Sequence, residues 1–215
     1  MVHAICTGAG KDAVLALHTA RAKGFDVRFA LNVYDGESGR VAFHGTRKGL
    51  VEAQAEALNL ELVQAPSGAE DYETVLSRLF AELREKGVGG VIFGNVHLAE
   101  VREWYDERVV RAGLEHHEPL WGQSPGELVR DLIAHGYRAL IVSVDLAAGR
   151  REWLGRELSL EVVRDIEEAG ADPCGEHGEY HTFVWDGPEF RRPLPIELGE
   201  IVEMKGHALL DLTLP

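Results

Sequence analysis

The stretch CTGAGKDAVLALH, Cys6 to His18, places three small residues between an apolar segment and a segment with helical spacing. Residues 2–6 are short and apolar, as in a buried strand, and residues 11–23 alternate apolar and polar positions as in an amphipathic helix. The glycines therefore fall at a strand-to-helix turn. Backbone N–H groups and the helix N-terminus together attract an anion at such a turn. The sequence thus predicts a phosphate-binding turn.

Strand-like and helix-like segments alternate through the first half of the chain. The patterns predict strands over 27–33, 60–64 and 91–93, and helices over 49–58 and 71–86. Alternation of this kind indicates βαβ units and a parallel sheet. We therefore expect an α/β fold for this half.

The second half begins with a helix signal. Ser124, Pro125 and Glu127 fit a capping residue, a first-turn proline and a capping-box glutamate. A strand over 137–144 and a helix over 159–169 follow, and the last thirty residues have the pattern of antiparallel strands joined by short turns. These segments predict a smaller α+β domain after the α/β domain.

The composition is that of an ordinary globular protein. Of 215 residues, 45% are hydrophobic and 27% are charged, which excludes a disordered or fibrous chain. No stretch has the length and apolarity of a membrane span, and the first residues lack the basic flank and apolar run of a signal peptide. We therefore expect a cytoplasmic protein without a membrane partner.

Cysteine content and charge limit the compartment and the partners. The chain has two cysteines, Cys6 and Cys174, which excludes a disulfide framework and indicates a reducing compartment. The formal charge of -14 argues against an extended nucleic-acid surface. A small anion remains compatible with this charge where backbone N–H groups, one or two basic side chains and a metal ion bind it.

Two common phosphate-binding loops have glycine patterns related to that of the turn. The Walker loop needs glycine and Ser or Thr where Ile5 and Asp12 stand, so it does not fit. The dinucleotide pattern G-x-G-x-x-A fits Gly8, Gly10 and Ala13, and Asp35 has the position of a ribose-binding acid. Against a dinucleotide, a carboxylate beside a pyrophosphate is unfavourable unless a cation intervenes.

The pair Lys11–Asp12 fits a nucleoside triphosphate that arrives with Mg²⁺. Lysine would contact phosphate oxygens, and Asp12 would help to hold the metal or the loop. The alternative is a solvated lysine beside an aspartate that the helix dipole stabilises.

The turn resembles the PP-loop S-G-G-K-D-S of the N-type ATP pyrophosphatases. One branch of that family, the diphthine-ammonia ligase-related proteins, is similar to most of the chain. The matching segments are AGKDAVLALH, HGTRKGLVEAQAEALNL, FGNVHLAEVREWYDERVVRAGL, PLWGQS and DPCGEHGEYHTFVWDGPEF.

The resemblance implies a HUP-type ATP-binding domain over residues 1–115 and a substrate-binding domain over 116–215. It also implies a ligase that splits ATP to AMP and pyrophosphate, adenylates a carboxylate and forms an amide with ammonia. Diphthine on translation elongation factor 2 is the acceptor in archaeal and eukaryotic members. For this chain we expect ATP and Mg²⁺ as cofactors, ammonia, and a small-molecule or protein carboxylate acceptor. A homodimer is compatible with the sequence.

The resemblance also implies site residues. Lys11 would act on the phosphates, and Glu176, Gly178, Glu179 and Thr182 fit the motif of the acceptor site. The implied nucleotide-binding positions are Gly8, Ala9, Gly10, Lys11, Asp12, Ala13, His44, Arg47, Gly94 and Asn95.

The chain departs from the family pattern at several of these positions. Gly8 and Ala13 replace the two loop serines, and each charge-assisted hydrogen bond lost in this way weakens binding by roughly 1.5 to 3 kcal/mol. Asn95 stands where the family has aspartate. The second motif is E-H-G-E-Y-H-T where diphthine-specific members have nearly E-G-G-E-F-E-T, so His181 replaces a glutamate, which argues for a different acceptor.

The second motif allows three interpretations from its residues alone. Cys174, His177 and His181 contain zinc-ligating groups but lack a known zinc spacing. A tight glycine turn before a strand over 180–185 would leave the polar residues facing solvent. We prefer a loop over the acceptor end of the site, in which Glu176 and Glu179 orient ammonia or take its protons.

In that loop His181 is a second candidate base, because its unperturbed pKa lies near neutrality.

A nucleotide-binding module with little turnover is the second hypothesis for the function, because both loop serines are missing. RNA thiolation and dinucleotide oxidoreduction rank below these two. The pair His116–His117 is expected to be a polar loop.

Overall fold

A computed structural model describes residues 1–204 and 206–215 of the chain. Strands and helices alternate in the first half, as predicted. They are β1 (Val2–Cys6), α1 (Lys11–Ala22), β2 (Asp26–Asp35), α2 (Lys48–Ala57), β3 (Glu61–Ser67), α3 (Tyr72–Glu85), β4 (Val88–Ile92), α4 (Ala99–Arg111) and β5 (Glu115–His117).

The five strands form one parallel sheet in the order β3-β2-β1-β4-β5. Strand β1 is central, with β2 on one side and β4 on the other. The strand order therefore reverses at β1, and the turn that leads from β1 to α1 lies at the carboxyl end of the reversal. Ligands of open α/β sheets bind at such a point.

The second half forms a smaller antiparallel sheet with two helices. Its elements are α5 (Pro125–Ala134), β6 (Arg138–Asp145), a 3₁₀ turn (Arg151–Trp153), α6 (Leu160–Glu168), β7 (Tyr180–Asp186), β8 (Glu197–Met204) and β9 (His207–Thr213). The strands pair in the order β7-β6-β9-β8. The predicted fold class, an α/β domain with a smaller α+β region after it, is confirmed.

Three local features differ from the sequence expectations. Helix α5 begins at Pro125 after Ser124, but the Ser124 side chain makes no capping hydrogen bond. Helix α4 was not predicted, because Val109 is its one fully buried residue and the apolar period is weak. The His116–His117 segment is the short strand β5 and not a polar loop. The His116 side chain is 5% exposed, and its Nδ1 lies 2.9 Å from Asp106 Oδ1.

Strand β5 crosses the predicted domain boundary at residues 115 and 116, so that boundary stays a prediction.

The apolar residues form two clusters. One packs α3 and α4 against one face of the parallel sheet. The other joins α1 and α2 with α5, α6 and the antiparallel sheet, so the two halves share a core. Among the helices in the described part of the chain, none has the length and apolarity to cross a membrane.

The shared core brings β7 onto the turn between β1 and α1. The backbone N–H of Val184 donates to the carbonyl oxygen of Ala9 at 3.0 Å. The buried side chain of Gln54, on α2, donates from Nε2 to the same Ala9 oxygen at 3.0 Å and to the Val184 oxygen at 2.7 Å. One amide thus joins α2, the turn and β7.

We predict that Gln54→Met lowers the free energy of unfolding by about 1–3 kcal/mol, because methionine keeps the volume and removes the donor to two buried carbonyls. Urea denaturation followed by circular dichroism measures the change. The control is Gln123→Met, since the Gln123 amide is exposed and donates to Pro119 alone at 2.9 Å. Equal stability of the two variants would contradict the role given to Gln54.

Candidate functional site

The turn between β1 and α1 is held in one conformation by its own residues and by β7. Ala9 has a left-handed φ of 66°, which is uncommon for a residue other than glycine, and its N–H donates to Thr7 Oγ1 at 2.9 Å. The N–H of Lys11 donates to the buried Thr182 Oγ1 at 3.0 Å. The turn therefore has a defined conformation, in which the N–H groups of Ala9 and Lys11 are directed at Thr7 and Thr182.

The predicted lysine is buried under the second half of the chain. Lys11 is 4% exposed, and its Nζ donates to the Cys174 carbonyl and lies 2.8 Å from Asp12 Oδ2. Burial opposes its charge, but Asp12 and the neighbouring groups outweigh this effect and raise the Lys11 pKa above its usual value. The lysine is therefore a fixed positive charge at the start of α1.

The imidazole of His44 lies against the two glycines of the turn. A Cβ atom added at Gly8 would come within 3.1 Å of His44 Nε2, and one added at Gly10 within 2.8 Å of His44 Cε1. Burial lowers the pKa of His44 to about 4, so the ring is neutral at pH 7. A side chain at position 10 would displace the ring and one at position 8 would crowd it, because the ring occupies the space over the turn.

His44 lies on a segment whose two ends contact one carboxylate. Arg40 and Arg47 both bind Asp211 of β9, at 2.8 and 2.6 Å, and these bonds hold the pKa of Asp211 near 2. Within the segment, Phe43 has φ of 62° and is 72% exposed. The predicted nucleotide ligand Arg47 is thus engaged by Asp211, and its nucleotide role stays a prediction.

The two other predicted nucleotide positions follow β4. A Cβ atom at Gly94 would lie 2.7 Å from the carbonyl carbon of Asp12, so Gly94 lets β4 approach the start of α1. Asn95 donates from Nδ2 to Glu118 Oε1 at 2.7 Å. Its amide is held by the buried Glu118 carboxylate, and its nucleotide role also stays a prediction.

The two glutamates of the second motif have different environments. Burial, followed by the carboxylate of Asp12, raises the pKa of Glu176 to about 7, and Glu176 accepts a backbone hydrogen bond from Val96. The Glu179 carboxylate is buried and accepts the backbone N–H groups of Asp172 at 3.0 Å and His177 at 3.1 Å. Glu176 has the pKa of a base at neutral pH, whereas Glu179 orders the loop.

His181 lies beside His44 and not at the exposed side of the motif. The ring centroids of the two histidines are 4.6 Å apart. Burial, followed by the nearby His44, lowers the His181 pKa well below its usual value. His181 is therefore neutral and weakly basic at pH 7, so Glu176 is the stronger candidate for proton transfer in this motif.

The residues considered for zinc do not come together as a group. Cys174 donates from Sγ to the Pro125 carbonyl at 3.0 Å, and His181 packs on His44. Within the described ranges, the group with metal-ligating geometry contains His177 together with His97 and Asp172. Sequence reasoning missed the last two because they belong to different segments, 75 residues apart.

Gln54 was also missed. Its only sequence signal is a polar residue in the apolar face of α2, where Leu50, Val51, Ala55 and Ala57 are buried around it.

The turn that Gln54 supports lies at the switch point of a parallel sheet, and a buried lysine follows it. These features define an α/β protein whose candidate site lies at the turn between β1 and α1.

The chain belongs to the diphthamide synthase family. The model of the diphthamide synthase N-terminal domain matches residues 1–116, and that of the C-terminal domain matches residues 124–211. The predicted relationship to the diphthine-ammonia ligase branch of PP-loop proteins is thereby confirmed.

Curated relatives carry the name diphthine–ammonia ligase. The Danio rerio and Homo sapiens proteins are each 26% identical over 154 residues, which are 69% of this chain and 60% and 57% of those proteins. The Schizosaccharomyces pombe protein is 30% identical over 96 residues, 43% of this chain and 16% of that protein. The chain thus spans less than two thirds of the length of these relatives.

Among solved structures, the chain is similar to a predicted subunit of tRNA methyltransferase from Methanocaldococcus jannaschii. The TM-score is 0.47 and the sequence identity 14%, over 89% of this chain and 99% of that one.

We predict that the free energy of unfolding of the wild type falls as the pH rises from about 4.5 to about 7, and that this fall is absent in Glu176→Gln. The folded-state pKa of Glu176 lies above its ordinary value of 4.5, so the unfolded chain releases the proton first as pH rises, and unfolding becomes easier across this window. Urea denaturation should therefore find the variant more stable than the wild type at pH 8 and similar at pH 4.5.

Glu168→Gln is the control for this pH dependence, because Glu168 is an exposed carboxylate at the end of α6. It should follow the wild-type profile. A Glu176→Gln profile parallel to that of the wild type would show that the Glu176 pKa is not raised.

Proposed function

We propose that this protein is an ATP-dependent, AMP- and pyrophosphate-forming ligase that converts a carboxylate to an amide with ammonia. The observation that carries the proposal is the juxtaposition of Lys11 at the start of α1 with Asp12 and Glu176, in a chain whose two halves both match diphthamide synthase domains. The names of the curated relatives, diphthine–ammonia ligase, support the same reaction class.

The phosphate end of ATP would bind at the β1–α1 turn. Glycines at 8 and 10 allow a close approach to the backbone, and the α1 N-terminus and Lys11 supply positive potential. The ammonium of Lys11 would move its contact from Asp12 to a phosphate oxygen. A second contact of Lys11, to the Cys174 carbonyl, keeps the amine at the turn.

The residues present fit the magnesium ion that the family relationship implies. Asp12 and Glu176 are carboxylates close enough for one to raise the pKa of the other, and the Asp12 side chain is 31% exposed. Mg²⁺ in ATP sites is bound through one or two carboxylates together with phosphates. Asp12 would hold the ion, which would neutralise phosphate charge when it is bound.

The amide-forming chemistry needs a proton acceptor. The substrate carboxylate attacks the α-phosphorus of ATP, which gives an acyl adenylate and pyrophosphate. Ammonia then attacks the acyl carbon, and the amide and AMP are formed with loss of one proton. Glu176, with a pKa of about 7, is suited to take that proton at neutral pH.

The acceptor of this chain is proposed to differ from diphthine. Two residues of the second motif are histidines where the diphthine-specific pattern has glycine and glutamate. His181 is neutral and buried beside His44, so the acceptor end has one negative charge fewer to attract a cationic substrate. A less cationic carboxylate is the better match.

A second candidate function is a nucleotide-binding module with little turnover. The specific observation in its favour is the His44 ring against Gly8 and Gly10, at positions where the PP-loop pattern has serine and glycine. Such a module would bind ATP or AMP without releasing pyrophosphate.

We predict that the protein releases pyrophosphate when it is mixed with MgATP, an ammonium salt and a panel of carboxylates. In Lys11→Ala the release should fall by about 10² to 10³, because one fixed charge at the transferring phosphates is lost. The control is Lys23→Ala, since Lys23 is exposed after the end of α1. A coupled pyrophosphate assay measures the rates, with circular dichroism as the check of folding.

The same assay separates the two candidate functions. Nucleotide binding by the wild type without pyrophosphate release over the whole panel would support the module. Release that is equal in wild type and Lys11→Ala would contradict the proposed site.

We predict that His44→Ala binds ATP more tightly than the wild type, by about fivefold, because the ring no longer has to leave the turn before phosphate enters and a cost of about 1 kcal/mol disappears. Isothermal titration calorimetry with MgATP measures the affinity. Phe43→Ala is the matched control, on the same segment but exposed to solvent. Weaker binding by His44→Ala would instead make His44 a nucleotide contact.

A further inference from the structure

The loop between α6 and β7 and the segment after β4 bring two histidines and an aspartate together at the surface. His97, Asp172 and His177 each offer one ligand atom, and these atoms lie within 4.8 Å of one another. The two imidazole rings are 5.5 Å apart between centroids and stand at 66°. We propose that these three side chains form a binding site for a zinc-class divalent metal ion. The inference rests on this geometry and does not depend on the proposed ligase activity.

The type of metal follows from the donors. Two imidazole nitrogens and one carboxylate oxygen suit Zn²⁺, Co²⁺ or Ni²⁺, whereas Mg²⁺ prefers oxygen ligands throughout. In a tetrahedral site with bonds of about 2.0 Å, ligand atoms are about 3.3 Å apart. Both histidines are exposed, so rotation of their side chains closes the remaining gap without movement of the core.

The loop that carries two of the ligands is ordered by a buried carboxylate. Glu179 accepts the N–H groups of Asp172 and His177, and thereby fixes the spacing of their backbones. The Asp172 carboxylate is itself oriented, because its Oδ1 accepts the Cys174 N–H at 2.6 Å. Hydrogen bonds that orient the ligand residues are typical of metal sites, and their loss costs 10- to 100-fold in affinity. These hydrogen bonds therefore fix the backbone positions of two of the three ligands, Asp172 and His177.

The third ligand is connected to the same loop. The backbone of Val96, which precedes His97, donates to the carboxylate of Glu176, which precedes His177. This bond holds the two segments side by side. Three protein ligands leave a coordination position for water or substrate, as in catalytic zinc sites. The ion would lie at the margin of the candidate site, beside Glu176.

Titration of the untagged full chain with Co²⁺ tests the proposal, with Zn²⁺ competition as the second measurement. We expect one equivalent of Co²⁺ to bind with the visible absorption of a site of four or five ligands, and Zn²⁺ to displace it. A large excess of Mg²⁺ should leave the spectrum unchanged. Absence of stoichiometric binding would overturn the proposal.

Variants locate the bound ion. His97→Ala and His177→Ala should each weaken Co²⁺ binding by more than about 100-fold, and Glu179→Gln by about 10- to 100-fold through the loop. His135→Ala is the matched control, because His135 is exposed at the end of α5 and, among the described residues, lies outside the group of metal-ligating side chains. Equal affinity of His97→Ala, His177→Ala and His135→Ala would place the ion elsewhere and overturn the proposal. Both ligand histidines are exposed, so these variants should keep the wild-type dichroism.

Discussion

The contact between β7 and the β1–α1 turn is the constraint on which the candidate site depends. The first N–H groups of a helix have no partners within the helix. Here Thr182 accepts the N–H of Lys11, and Val184 donates to the carbonyl of Ala9 in the preceding turn. The turn is therefore completed by a strand from the other end of the chain, and neither half contains the site alone.

The glycine at position 8, where the PP-loop pattern has serine, is related to His44. A side chain at position 8 would meet the imidazole, so glycine there and histidine at 44 are compatible as a pair. Ala9 keeps the left-handed backbone in which glycine is the usual residue, at a cost that its bonds to Val184, Gln54 and Thr7 offset.

The sequence was sufficient for features that depend on local patterns. Apolar periods located β1 to β4 and α1 to α3, and the short spacing of Gly8, Gly10 and Lys11 located the turn, whereas α4 and β5 were missed. Partners from distant segments had no such signal. The burial of Asn95 against Glu118, the pairing of Arg47 with Asp211 and the meeting of His97 with His177 all depend on tertiary packing, which no local period encodes. The raised pKa of Glu176 also depends on tertiary packing, because burial is its largest cause.

The attachment of both arginines to Asp211 limits what has to move when a ligand reaches the turn. Arg40 and Arg47 remain anchored on β9, so the intervening six residues form a short flap with two fixed ends. Its left-handed residues, Phe43 and Gly45, are natural pivots on either side of His44. A displacement of the imidazole would then take place within these six residues, between two ends that the salt bridges to β9 hold in position.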